Sequence, residues 1–203
     1  MSSEPDDPIQ HYFSEEPDVP SARQRIEVTL PDGSFPIETD TGVFSHGRVD
    51  SGTKFLLVEA PELPATGHLL DLGCGAGPIA ITMARRRPNC TVWAIDPNVR
   101  ARRLTLDNAT SLGLDNVRVV APDDVPADVS FACIWSNPPI KVGKNELHGM
   151  LSRWLARLDA GGTAILVVNK NLGSDSLQKW LNEKGHPAVR LASRQGFRLL
   201  RVS

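Results

Sequence analysis

The segment Leu69-Leu70-Asp71-Leu72 runs without a break into Gly73-Cys74-Gly75-Ala76-Gly77, and Pro78 follows. Its apolar residues suit a strand covered on both faces. Three glycines in five positions let the backbone turn sharply and leave no Cβ to obstruct a ligand lying against the main chain. Proline is tolerated in the first turn of a helix, so Pro78 marks where one begins. Strand, glycine turn and helix in this order start a βαβ unit, because parallel strands need crossover connections.

The chain continues that alternation. Strands are predicted near 68–72, 91–96, 117–121, 131–136 and 163–169, with helices near 78–87, 98–112 and 144–158. Gly113 sits where a C-terminal glycine cap belongs. Leu147, Met150, Leu151, Trp154, Leu155 and Leu158 form a helical apolar stripe. A short helix near 174–184 precedes two closing strands near 188–193 and 197–202. The expected fold is α/β, a doubly wound, mostly parallel, seven-stranded Rossmann-like sheet with an antiparallel hairpin at one edge. Upstream, Ile26, Val28 and Leu30 alternate with polar residues, Asp32-Gly33 supplies a turn, and Phe35 and Ile37 resume the alternation. That pattern predicts an N-terminal β-hairpin extension, followed by a helix near 52–60 that Pro61 stops. Residues 1–22 hold four prolines and six acids with no Lys or Arg, so an acidic, loosely held arm is expected. A single domain is expected over 23–203, with the hairpin and helix extension at 23–60 and the core at 61–203.

Composition narrows the class. Forty per cent of residues are apolar and 23% charged, the balance of a globular protein. No apolar run approaches the roughly 20 residues of a membrane span, and the N-terminus lacks a basic-then-apolar leader. A cytoplasmic protein is expected. Cys74, Cys90 and Cys133 and the five histidines show no ligand spacing, so neither a disulfide framework nor a metal site is implied. The net charge is −2, but outside the acidic arm it is +4, which is compatible with an RNA partner. Nothing in the pattern sets an oligomeric state.

The second strand ends in Ala94-Ile95-Asp96, nineteen residues after Gly77, where an acid can accept hydrogens from ribose hydroxyls. The dinucleotide pattern GxGxxG would want a third glycine at position 78, which is Pro78. A carboxylate at Asp71 repels a pyrophosphate but attracts the ammonium group of S-adenosylmethionine. The N-terminus of the helix after the glycines offers unpaired N–H groups to a carboxylate. Asp71, Gly73, Cys74, Gly75, Gly77 and Asp96 are therefore candidates for an S-adenosylmethionine site.

The fourth strand, Phe131 to Trp135, ends in Ser136-Asn137-Pro138-Pro139-Ile140. Two prolines fix two φ angles and remove two N–H donors, so this corner is stiff and presents acceptors. The Asn137 side-chain carbonyl and the Pro138 carbonyl together suit an –NH₂ group, which has two hydrogens to donate. Accepting both orients the amine and stabilises the positive charge that develops on nitrogen during methyl transfer. Asn137, Pro138, Pro139 and Ile140 are the candidate catalytic residues. Lys141 and Lys144 follow at the mouth of that corner and are candidate contacts to substrate phosphates.

Asp71 to Gly77 resembles motif I of class I methyltransferases. Asn-Pro-Pro-Ile is similar to the (Asn/Asp)-Pro-Pro-(Tyr/Phe) motif of enzymes that methylate adenine, guanine N2 or glutamine nitrogens. Ile140 departs from it, since an aromatic residue there stacks on a flipped base. Phe44, Trp135, Tyr12 and Phe13 are the aromatic residues weighed as substitutes. The segment Asp40 to Leu57 is similar to the one preceding the first core strand in the methyltransferase small domain family. That family includes the catalytic half of bacterial 16S rRNA guanine-N2 methyltransferases and stand-alone archaeal relatives. The resemblance covers residues 11 to 202. It implies that Phe44, Ser45 and Thr53 lie beside the cofactor and that Asp123, with Asp124 as its competitor, contacts the adenine amino group. It further implies methyl transfer to guanine N2 of ribosomal RNA. Glutamine N5 methylation of a protein shares the same corner chemistry and remains open, as does a non-catalytic cofactor- or RNA-binding module. The larger rRNA enzymes carry two copies of the domain, whereas this sequence has one.

Overall fold

A computed structural model of the protein describes residues 17–203. Tyr12, Phe13 and most of the acidic arm lie outside the described residues, as does the side chain of Lys141. At the end of the arm, the Ser21 hydroxyl and the Ala22 N–H both donate to the Asp40 carboxylate, at 2.6 and 2.7 Å.

The chain opens with a hairpin of β1 (Gln24–Leu30) and β2 (Gly33–Thr39), in which Val28 faces Phe35 and Leu30 faces Gly33. Helix α1 (Ser51–Glu59) leads into the main sheet. There follow β3 (Gly67–Leu72), α2 (Pro78–Arg86), β4 (Cys90–Ile95), α3 (Val99–Ser111), β5 (Val117–Val120) and β6 (Phe131–Ser136). The chain ends with α4 (Lys144–Leu155), β7 (Leu158–Asn169), α5 (Ser174–Glu183), β8 (Ala188–Arg194) and β9 (Phe197–Val202). The seven strands are ordered β5-β4-β3-β6-β7-β9-β8, parallel from β5 through β7, with β9 antiparallel to both neighbours. The chain order reverses between β3 and β6, and doubly wound sheets bind ligands outside the strand ends at such a point.

Alternation along each strand fills two cores. Leu69, Val92, Cys133, Trp135, Ile165 and Val167 point to the face covered by the hairpin, α1, α2 and α3. Leu70, Ile134, Leu166 and Val168 point to the face covered by α4 and α5. The hairpin is fastened to the first layer by polar contacts. Arg86 makes a two-pronged pair with Asp32, at 2.7 and 2.9 Å. The buried Asn108 bonds both backbone groups of Glu38 and also donates to the Ala76 carbonyl at 2.9 Å. That single side chain ties the hairpin and α3 to the glycine loop.

One junction differs from the sequence pattern. The apolar stripe predicts a helix to residue 158, but α4 stops at Leu155 and β7 begins at Leu158, which pairs with Phe131. The register between β6 and β7 then shifts before Cys133 meets Thr163. Gly161 and Gly162 make this irregularity possible. The first has φ 81°, and a Cβ on the second would lie 2.8 Å from the Phe131 carbonyl oxygen. Leu158 still packs against the second core, so its hydrophobicity served a strand and mimicked one more helical turn.

Candidate active site

The loops after β3 and β6 meet at the reversal point and are clamped together. The buried Ser136 hydroxyl, at the end of β6, donates to the Leu72 carbonyl at 2.7 Å. Gly73 and Cys74 both donate to the Ile95 carbonyl at the end of β4, at 2.9 and 3.0 Å. Gly73, Gly75 and Gly77 have φ of 82°, 55° and 88°, the left-handed region that favours glycine. Their surroundings differ. A Cβ on Gly73 would meet nothing within 4 Å, whereas one on Gly77 would lie 2.9 Å from the Thr105 methyl group. Gly73 opens onto space fit for a ligand, and Gly77 lets α3 pack closely.

Asp71 is fully buried and acts as a remote cap for α2, whose own cap position is Gly77 with no side chain to offer. Its Oδ2 accepts the Ala80 N–H at 2.9 Å, while Oδ1 has no hydrogen-bond partner. Burial pushes the Asp71 carboxyl up to about 8, against the pull of the Ala80 bond. Asp96 accepts the Gly75 N–H at 3.0 Å and the Asn98 N–H at 2.9 Å. Burial raises it to about 6, so it is largely ionised at neutral pH. The Cys74 thiol, buried and near both acids, is pushed well above its ordinary value and is no nucleophile.

Asn137 is held by its amide nitrogen. Nδ2 donates to Asp50 Oδ2 at 2.9 Å and to Thr53 Oγ1 at 3.0 Å. A carboxylate oxygen only accepts, so the amide cannot flip without facing oxygen against oxygen. Oδ1, at the opposite corner of the planar group, is turned away from Asp50 and is free to accept. Asp50 also caps α1, accepting the Thr53 N–H at 3.0 Å. One carboxylate therefore fixes both the helix start and the amide orientation.

A cavity of about 720 Å³ runs along these strand ends. Gly73, Gly75 and Asp96 line it on one side, and Asn137, Pro138, Pro139 and Ile140 on the other. It has room for an S-adenosylmethionine-sized ligand, and the open glycine cradle fits that cofactor; Asp71 is wholly buried and lines neither this cavity nor the smaller hollow next to it. Phe44 lines the cavity at 50% exposure. With Ser45, Thr53 and Cys74 it also lines a smaller hollow of about 40 Å³ beside it. Asp123 is exposed and bonded to Arg153 at 2.8 Å; Pro122, not Asp123, lines the cavity. Lys144 is exposed at the first position of α4, between the cavity-lining Val142 and Glu146. Trp135 is only 1% exposed, so its ring is core. Asp50 and Phe197 are site residues that the sequence did not single out. The first carries a detectable signal, since Asp three residues before Thr53 is an N-cap pattern; the second carries none.

Comparison with known proteins identifies the family. The methyltransferase small domain profile matches residues 34–201. An uncharacterized Bacillus subtilis protein, YbxB, is 33% identical over 196 residues, covering 95% of this chain and 98% of its own length. The ribosomal RNA small subunit methyltransferase C of Pseudomonas paraeruginosa is 38% identical over 192 residues, covering 91% of this chain. This chain spans about half of that enzyme, 55% of its length. Among solved structures, the T. thermophilus 16S rRNA N2 guanine methyltransferase RsmC, in complex with AdoMet and guanosine, superposes with a TM-score of 0.73 at 21% identity. It covers 92% of this chain and 52% of that one. With the profile matched over most of its length and its glycine loop and proline corner facing one cavity, the chain is a methyltransferase and belongs to the methyltransferase small domain family.

Proposed function

We propose that the protein transfers a methyl group to an exocyclic amino nitrogen, and that the acceptor is guanine N2 of ribosomal RNA. The observation that carries this reading is the locked amide of Asn137. S-adenosylmethionine is the donor and supplies an electrophilic methyl group on a sulfonium. Gly73 and Gly75 leave room for it against the main chain, and Asp96 offers its carboxylate to ribose hydroxyls at the end of β4. On the acceptor side, Asn137 Oδ1 and the Pro138 carbonyl take the two N–H bonds of the amine. The lone pair of an aryl amine is delocalised, and these acceptors stabilise charge as it develops on nitrogen. With the glycine loop and the proline corner facing one cavity, an amine held at the corner would lie beside a bound donor and gain the proximity term. The proton leaves the product to water, so no base of shifted pKa is needed.

The rRNA acceptor is supported by the relative of Pseudomonas paraeruginosa, whose name gives that substrate. The test is incubation of the purified chain with tritiated S-adenosylmethionine and separated RNA and protein from a strain lacking it. Label in N2-methylguanosine after RNA digestion is expected. Label confined to protein would move the assignment to glutamine N5.

A further inference from the structure

We infer that Phe197 supplies the aromatic wall that the Asn-Pro-Pro-Ile corner lacks, making the acceptor pocket a slot for a planar nucleobase. The inference rests on the amino-methyltransferase reading above and extends it to the recognition of the acceptor.

The aliphatic Ile140 stands where many related corners place an aromatic ring, and an isoleucine offers no π face. Of the rings weighed from sequence, Trp135 is sealed in the core, Tyr12 and Phe13 lie outside the described residues, and Phe44 lines the cavity where it borders the glycine loop, sharing the smaller hollow with Gly73, Cys74 and Gly75. Phe197 opens β9 directly after the turn at Gln195-Gly196 and is half-buried. The hairpin of β8 and β9 brings it beside the site because β9 pairs with β7, with Phe197 opposite Asn169. Both of those residues line the cavity with Asn137 and Ile140.

The position of the ring is fixed by the turn that holds Asn137. A Cβ on Gly52 would lie 2.7 Å from Phe197 Cε1 and 2.9 Å from Cδ1. Gly52 sits between Asp50 and Thr53, the two residues that take the Asn137 amide hydrogens. The ring therefore rests against the backbone that sets the acceptor amide. Phe197 packs with the core on the α1 side of the sheet, and Ile140 with the core on the α4 side. The two walls approach one cavity from opposite faces of the sheet, one aromatic and one aliphatic, and a flat base fills such a slot better than a flexible side chain does.

The test measures methyl transfer to an unmodified 16S rRNA transcript by the full chain and by Phe197→Leu and Phe197→Tyr. Stacking on one base predicts a fall in kcat/KM for RNA on the order of tenfold or more in Phe197→Leu. Most of it should lie in KM, with the affinity for S-adenosylhomocysteine unchanged. Phe197→Tyr keeps a π face and should restore kcat/KM. If the wild type methylates the transcript and Phe197→Leu keeps full kcat/KM, the inference fails and the amino-methyltransferase reading stands. A Phe197→Tyr variant as impaired as Phe197→Leu also overturns it, because the loss is then one of packing. A wild type that labels no RNA but labels glutamine in protein overturns both the rRNA reading and the slot.

Discussion

The amide nitrogen of Asn137 lies 2.9 Å from Oδ2 of Asp50, a contact between residues 87 positions apart. The proline corner and the start of α1 are thus one device, and its output is the direction of a single carbonyl. Asp50→Ala removes the acceptor that forbids the flipped amide and leaves Thr53 Oγ1, a hydroxyl that tolerates either orientation. The expected loss in kcat is on the order of tenfold or more. Losing the α1 cap adds a destabilisation of about 1 kcal/mol. Thr53→Val keeps the Asp50 contact and the backbone cap, so its kcat should fall less. Equal kcat in Asp50→Ala and wild type would show that the amide needs no anchor.

Asn137→Ala is the more severe change. It deletes the acceptor itself and leaves the glycine loop, Asp96 and the Ser136 clamp to Leu72 in place. Methyl transfer should fall below detection, while calorimetric affinity for S-adenosylhomocysteine stays near that of the wild type. A variant that still turns over would remove the role assigned to this side chain.

What could be read from sequence, and what could not, follows from the range of the interactions. The glycine loop, the strand ends and Asn137 sit within a few residues of their local signals, and the mostly parallel seven-stranded sheet with its edge hairpin follows from helix and strand alternation. The Asn137 anchor and the Phe197 wall are contacts between segments far apart in sequence, and no local pattern encodes them. Leu158 shows a different limit: one apolar residue satisfies a helical period and a strand period equally, and only the glycine irregularity at Gly161 and Gly162 separates them.

The glycine loop offers a paired prediction. Gly73 and Gly77 both have positive φ, so alanine at either costs about 1–2 kcal/mol in backbone strain. Beyond that they diverge. At Gly77 the new methyl group collides with Thr105 on α3, so Gly77→Ala should lower Tm more. At Gly73 it projects into open space lining the cavity, so Gly73→Ala should keep more stability and lose more cofactor affinity. Thermal melts and calorimetry on the two variants check the ordering; a reversed order would mean the cradle is misassigned.

Asp71 makes stability depend on pH. In the unfolded chain it ionises near pH 4, as an ordinary aspartate does; in the fold burial holds its proton up to about 8. Between these values the folded state binds more protons, so its contribution is fully present below about pH 4 and is lost as pH rises through 8. Asp71→Asn keeps an oxygen for the Ala80 N–H and cannot ionise. Its Tm should fall less than that of the wild type between pH 5 and 9 in the absence of cofactor. Parallel Tm curves for the two proteins would rule out a buried neutral acid.

Lys144 allows its proposed RNA contact to be tested apart from its effect on folding. It occupies the first position of α4, where the helix dipole disfavours a cation, so removing its charge should leave stability unchanged or slightly higher. It is also exposed and lies in sequence between the cavity-lining Val142 and Glu146, and the proposed RNA acceptor gives it a role as a phosphate contact. Lys144→Ala should weaken RNA binding and reduce the salt dependence of log K by about one phosphate contact. Affinity for S-adenosylhomocysteine should not change. Because stability and RNA affinity are expected to move in different directions, a loss of both together would point to a disturbed helix start, and an unchanged salt slope would take Lys144 out of the RNA path.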